Sequence, residues 1–389
     1  MKRLLTYGLG VDSTAILTRW LTEPASRDFP LEDLVVLTAQ TGDEWAITKH
    51  LVETYMYPML AEHQVRTVQV ARKGPLQEHG VKILADTRTP TVCHTKGAYK
   101  LSDEMLAVAT VPQLGGEHRC ALKFKGFPLD WWTAQWAGGE PYWHAVGFET
   151  TETGRIRKDL ATVKKKLPGR IPAYPLHEWG WDRETCHQYL TMHFGVTWEK
   201  SACTYCPFAL SSPAGRDHTI SRYLDSPEEA MLPLVMEYVS IAVNSRQSLR
   251  KQGSLHADLV KTPGSAPLLA RFTKHLHDVD WAVYRMRRAL LAKSGDMMAR
   301  GETARSLVTH ATGSREQMLA ELHRLADKHQ GQVQRAGDHH RLWLAERNPY
   351  FPCREDAFIA APATAIDKTN DRFPQLWDAA VPRVTQLTI

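Results

Sequence analysis

Over the first third of the chain, short continuous apolar runs alternate with stretches of helical spacing. Leu4-Leu5-Thr6-Tyr7 reads as a short buried strand, and Gly8-Leu9-Gly10-Val11 as a tight turn. Asp12-Ser13-Thr14 then opens a helix that carries Ala15, Ile16 and Leu17 and runs through Leu21. Glu32 to Gln40 (EDLVVLTAQ) has the unbroken apolar character of a buried parallel strand. Thr41-Gly42-Asp43-Glu44-Trp45 follows, then a helix to about His63 that Pro58 kinks or splits. Val65 to Val70 is a third strand. This order predicts an α/β fold with a doubly wound, mostly parallel sheet, whose ligands sit at the carboxyl ends of the strands. The Gly8 turn and the Thr41-Gly42 turn both fall on that edge.

Further along, the pattern is less regular. Residues 72–126 hold glycines, prolines and basic residues with little periodicity, the mark of a functional or mobile segment. That stretch ends in His118-Arg119-Cys120 and leads into a helix with Pro128 near its first turn. Trp143 to Val146 is another strand, and residues 154–170 are dense in Lys and Arg. A helix starts near Asp182 and ends before Gly195. Beyond about residue 210, Ser226-Pro227-Glu228-Glu229 caps a helix to about Ser245. Asp280 to Lys293 reads as a second helix, Ser314-Arg315-Glu316-Gln317 caps a third ending before Gly331, and the tail after Pro349 reads as irregular. The expected organisation is an α/β domain over 1–209 and a mostly helical extension over 210–389, suited to binding substrate or partner.

Composition narrows the class. The 389 residues are 43% hydrophobic and 23% charged, as in water-soluble globular proteins. No apolar run approaches the roughly 20 residues of a membrane helix, and no leader peptide is legible, so a cytoplasmic location and no membrane partner are expected. A net charge of +5 permits nucleic-acid contact without requiring it. Six cysteines in such a chain point to metal, cluster or catalytic roles rather than a disulfide framework.

The strand–glycine turn–helix at the N-terminus is an anion site by its physics. Glycines let the backbone come close, the first helical N–H groups point outward and the helix dipole favours negative charge. It is not a Walker A loop, lacking Gly-Lys-Ser/Thr, nor a dinucleotide fingerprint, lacking the third glycine. Gly10-Val11-Asp12-Ser13-Thr14 after a strand resembles the pyrophosphate loop (PP-loop) of the adenine-nucleotide alpha-hydrolase superfamily, with Gly8 in place of the usual serine and Leu9 in place of the first glycine. Other blocks follow in the order of the phosphoadenylyl-sulfate (PAPS) reductase branch. They are Gln40-Thr41-Gly42, Arg119-Cys120 with Lys123 and Pro128-Leu129, Gly147 with Glu152 and Arg155, Pro175-Leu176 with Trp179, and Cys203 with Cys206.

That resemblance implies ATP with Mg²⁺, bound by Tyr7, Gly8, Leu9, Gly10, Val11, Asp12, Ser13, Thr14, Thr41 and Gly42. It implies catalytic roles for Asp12, Ser13, Lys123, Glu152 and Arg155. It also implies a [4Fe–4S] cluster on Cys120, Cys203 and Cys206 with Cys93 as candidate fourth ligand; Zn²⁺ or a bare Cys-x-x-Cys are the alternatives. DNA phosphorothioation sulfurtransferases are similar. The implied activity is therefore an AMP-forming ATP pyrophosphatase that adenylates an acceptor, a nucleic acid first of all, for sulfur transfer. A sulfur-donor protein of the cysteine desulfurase kind would be its partner, and nucleic-acid modification or phage defence its setting. The alternatives are a sulfonucleotide reductase, for which Cys353 is the late cysteine, and a non-catalytic nucleotide-binding module. Lys164-Lys165-Lys166 and Arg285, Arg287 and Arg288 read as solvated faces or nucleic-acid contacts.

Overall fold

The computed structural model describes residues 1–115, 118–167, 169–294 and 296–381, with the side chain of Lys166 excepted. The chain divides into two compact units: Met1–Asp103 with Gly115–Cys206, and Glu104–Leu114 with Pro207 onward. Among the described residues, no helix is long and apolar enough to cross a membrane.

The first unit is built on a six-stranded sheet: β1 (Arg3–Thr6), β2 (Leu34–Gln40), β3 (Arg66–Arg72), β4 (Val81–Thr87), β5 (Tyr142–Ala145) and β6 (Arg170–Ala173). Their order is β4-β3-β2-β1-β5-β6, with β4 alone antiparallel to its neighbour. β1 thus lies between β2 and β5, aligning Leu5 with both Val36 and Ala145. Successive strand residues face opposite ways. Leu5 and Val36 accordingly enter one buried cluster with Ile16, Leu17, Trp20 and Leu190, while Leu4, Val35 and Leu37 enter another with Val68 and Trp132. Both faces are covered, which is why these strands read as unbroken apolar runs.

The helices that matter for the site are α1 (Val11–Thr22), α2 (Phe127–Ala137), α3 (Thr153–Lys166) and α4 (Arg183–Phe194). α1 and α4 bury Ile16, Leu17 and Leu190 on one face, and α2 sets Trp132 on the other. α4 starts where Asp182 accepts from the Thr185 backbone N–H at 2.8 Å and ends at Gly195, φ +71°.

The second unit corrects the expected helical extension. It holds a six-stranded sheet of order β12-β8-β7-β11-β10-β9, all of whose pairings are antiparallel. The strands are β7 (Trp281–Lys293), β8 (Asp296–Gly313), β9 (Val333–Ala336), β10 (His339–Ala345), β11 (Cys353–Pro362) and β12 (Lys368–Thr369). Helices accompany it, among them α5 (Pro227–Val243), α6 (Arg315–Lys328) and α7 (Phe373–Ala379), with Pro213–Asp225, Leu255–Lys261 and Ala266–Asp278 also helical. The helices expected at Pro227 and at Ser314 are present, the latter with its capping box. The helix expected over Asp280–Lys293 is instead β7. Its Met, Ala and Leu residues favour helix locally, and burial on both faces removes the alternation that would have marked a strand. The tail expected to be irregular contains β11, buried at nine of its ten positions.

The β7 arginines are engaged. Arg285 makes a two-bond pair with Asp356 at 3.1 and 2.9 Å, and Arg288 meets Glu355 at 2.8 Å. The Arg287 guanidinium lies 5.1 Å from the Phe373 ring centre. Lys164 and Lys165 sit exposed on α3.

Candidate functional site

The Gly8 turn leads directly from β1 into α1. Leu9 sits there at φ +62°, the left-handed conformation expected of glycine, with its side chain only 2% exposed. Its carbonyl accepts the Trp198 indole N–H at 3.0 Å. Ser13 Oγ accepts from the Gly8 backbone N–H at 3.2 Å and donates to the Gly10 carbonyl at 3.4 Å, closing the turn on itself. Tyr7 and Thr14 point into the core, their hydroxyls 3.2 Å apart. Gly10 stands at the N-cap of α1 and has no side chain with which to bond the first-turn N–H groups.

A cavity of about 390 Å³ opens at this point. It is lined by the turn and first residues of α1 (Gly8, Gly10, Val11, Asp12, Ser13) and by Val146, Gly147 and Phe148 just past β5. Cationic or ionisable side chains complete it: Arg155 from α3, Arg183 and His187 from α4, and Lys200. The cavity therefore lies at the carboxyl ends of β1 and β5, where the strand order reverses. Gly147 has a steric reason to be glycine: a Cβ there would stand 3.2 Å from the Ser13 backbone nitrogen.

Charge within the cavity is arranged in pairs. Arg183 grips Asp12 with two bonds, at 3.2 and 2.7 Å. Burial pushes the Asp12 carboxyl above the usual aspartate value; Arg183 works against that shift, and Glu152 and Glu149 add to it. Arg155 pairs with Glu152 at 2.6 Å and covers the Phe148 ring at 4.3 Å. The second Glu152 oxygen is buried without a hydrogen-bond partner among the described residues.

Behind the cavity runs a buried polar chain. Thr6 Oγ1 lies 2.7 Å from His144 Nε2, Arg170 Nε donates to His144 Nδ1 at 2.7 Å, and Arg170 pairs with Asp159 through two bonds at 2.8 and 2.9 Å. Tyr174 donates its hydroxyl to the same Asp159 at 2.7 Å. An arginine cannot accept, so His144 carries its proton on Nε2 and donates it to Thr6. Burial, then the Arg170 charge, holds His144 down to about 3, which keeps it neutral.

The other expected site residues stand elsewhere. Thr41 Oγ1 is 3.1 Å from Cys203 Sγ, and Gly42, at φ +105°, is packed against Lys100. Lys123 lies on the helical turn Leu122–Gly126 and lines a separate cavity with Arg72 and Trp131, so the expected catalytic lysine does not reach the loop cavity.

Cys120, Cys203 and Cys206 are electrostatic neighbours, with Lys125 beside them. Burial pushes Cys203 up to about 12 and raises Cys120 as well. Cys93 is fully buried in the core, where burial pushes it up to about 12 beside Tyr57 and Glu53. Among the described residues no three His, Cys, Asp or Glu side chains are placed to hold one metal ion. Cys353, the late cysteine of the reductase alternative, is 1% exposed within β11 and raised by burial, which ill suits a mobile nucleophile.

Sequence reasoning missed Arg183, His187, Lys200 and Phe148. Arg183 follows the legible cap Asp182, but its pairing with Asp12 spans 171 positions. Compared with known proteins, the chain matches no family model and no curated protein.

Proposed function

We propose that the first unit is a PP-loop-like nucleotide site on a doubly wound sheet, and that the protein is an AMP-forming ATP pyrophosphatase. The observation that carries this reading is the position of the loop cavity. It lies at the carboxyl ends of β1 and β5, where the strand order reverses, with the uncapped start of α1 and three cationic side chains in its wall.

In this reading the β- and γ-phosphates of ATP rest on the N–H groups at the start of α1, with Arg155 and Lys200 facing their charge. Mg²⁺ arriving with the nucleotide would offset phosphate charge, and Asp12 would hold it on exchanging its two bonds to Arg183 for the ion. An acceptor oxygen attacks the α-phosphorus, the bond from that phosphorus to the α–β bridging oxygen breaks, and pyrophosphate leaves with the electron pair. The acceptor, activated as its adenylate, is open to displacement of AMP by a sulfur nucleophile. The sulfur half of the reading, with a nucleic acid as acceptor, is supported by the resemblance of the ordered sequence blocks and by the neighbouring thiols of Cys120, Cys203 and Cys206.

The test is production of AMP and pyrophosphate from Mg·ATP by the full chain with nucleic-acid acceptors, beside Asp12→Ala. Loss of AMP formation in the variant is the expected result. Unchanged AMP formation would sink the assigned loop, and nucleotide binding without turnover would leave a binding module.

A further inference from the structure

The second unit has a cavity of its own, about 610 Å³ in volume, along the β7–β8 strand pair. Six cationic side chains line it: Arg246, Arg288, Arg300, Arg305, Arg347 and Lys368. No carboxylate is in that lining. Behind it, Glu355 serves Arg288 at 2.8 Å and Arg347 at 4.0 Å. Arg246, Arg300 and Lys368 have no carboxylate partner among the described residues.

The arrangement is costly without a ligand. Arg288 and Arg305 are directly opposite in the β7–β8 register, a like-charge pair that destabilises a sheet. The Arg305 guanidinium donates to the Val108 carbonyl at 2.7 Å and finds no carboxylate there. Burial, then Arg288, pulls Arg305 down to about 10, and burial with Arg246 lowers Arg347. An anion in the cavity would relieve each of these strains at once.

The lining also says what kind of anion. Guanidinium forks match phosphate oxygens in pairs. Six cations exceed what one orthophosphate needs, which calls for several phosphates close together. The lining contains no aromatic ring on which a nucleobase could stack; its uncharged polar groups include the amides of Gln113, Asn244 and Asn370. The volume falls in the range of small-molecule pockets, roughly 300–1,000 Å³.

We propose that this cavity binds an oligophosphate, an anion of two or more linked phosphate groups recognised by charge and not by a base. The proposal does not rest on the function assigned to the first unit. The anion's source is either a free phosphate chain or the phosphate tail of a nucleotide.

The experiment is calorimetric titration of the full chain with tripolyphosphate, orthophosphate, ATP and a single-stranded oligonucleotide. Two variants accompany it: Arg246→Gln with Arg300→Gln, both exposed positions outside the loop cavity, and Ser13→Ala with Arg155→Ala inside it. Arg246→Gln alone serves should the paired change not fold. Tripolyphosphate is expected to bind the wild type more tightly than orthophosphate. Its affinity should fall about tenfold per arginine removed and hold in the loop variant. ATP matching tripolyphosphate in the loop variant supports a nucleotide tail as source, and much weaker ATP supports a free chain. The proposal is overturned by absent binding, by binding that follows the loop variant alone, or by orthophosphate matching tripolyphosphate. It is equally overturned, in favour of a nucleic-acid backbone, by an oligonucleotide that binds more tightly than tripolyphosphate and is lost in the arginine variant.

Discussion

Leu9 occupies a backbone conformation that costs a non-glycine residue on the order of 1 kcal/mol, and two features hold it there. Its side chain is buried, and its carbonyl is tied to the Trp198 indole. Trp198→Phe keeps most of the bulk and removes the donor. It should lower stability by about 1 kcal/mol and weaken nucleotide binding, read by denaturant melts and by titration with Mg·ATP. Gly147 is the second single-residue lever. In Gly147→Ala the new Cβ presses on the Ser13 nitrogen, which must move by a few tenths of an ångström. The expected result is weaker ATP binding in a protein that still melts cooperatively; an unchanged Kd would show that the first turn of α1 does not touch the nucleotide. The strand–turn–helix of this loop was legible in the sequence, but the residue in the left-handed conformation is Leu9 and not a neighbouring glycine, which local glycine use does not announce. Arg183 was not legible, because its role depends on a partner 171 positions away.

At the scale of elements, the parallel sheet was readable and the antiparallel one was not. β2 announces itself as an apolar run and β3 as the valine-spaced stretch Val65–Val70, both close to where the structure has them. β7 fails because its helix-favouring composition is overruled by pairing with β8 and β11, which only the folded chain supplies. β6 was hidden in a basic stretch, though it anchors Arg170 in the polar chain behind the loop cavity. That chain carries a pH signature. His144 titrates near 6.5 in an unfolded chain and is held down to about 3 in the fold. Between these values the unfolded chain binds a proton that the folded chain does not. Its contribution is therefore complete above about 6.5 and is lost on acidification toward 3, with a slope of up to about 1.4 kcal/mol per pH unit. Denaturant melts of wild type and His144→Gln between about pH 4 and 7 should show a shallower pH dependence in the variant. Equal slopes would mean that His144 is not buried in its neutral form.

At the scale of the whole molecule, each unit is more than one run of sequence. Residues 104–114 belong with the later segment. Ala109 and Val111 are buried, Ile366 N–H donates to the Ala107 carbonyl at 3.0 Å, and the side chains of Gln247 and Thr110 are hydrogen-bonded. A fragment starting at Pro207 would lack all of these contacts. It should melt at lower temperature than the same fragment with residues 104–114 fused at its N-terminus, as measured by circular dichroism; equal melting would show that the segment is dispensable. The sequence gives no local sign of this arrangement, because a segment of eleven residues carries no periodicity that says where it will pack.

That interleaving sets a timetable for a chain made from its N-terminus. The partners of residues 104–114 reach from Gln247 to Ile366. At about 5–20 residues per second, the last of them emerges on the order of ten to fifty seconds after the segment itself. Through that interval Val108, Ala109 and Val111 leave the ribosome with their final neighbours still unmade. The nascent protein thus offers a chaperone a short apolar target whose lifetime is governed by the speed of translation.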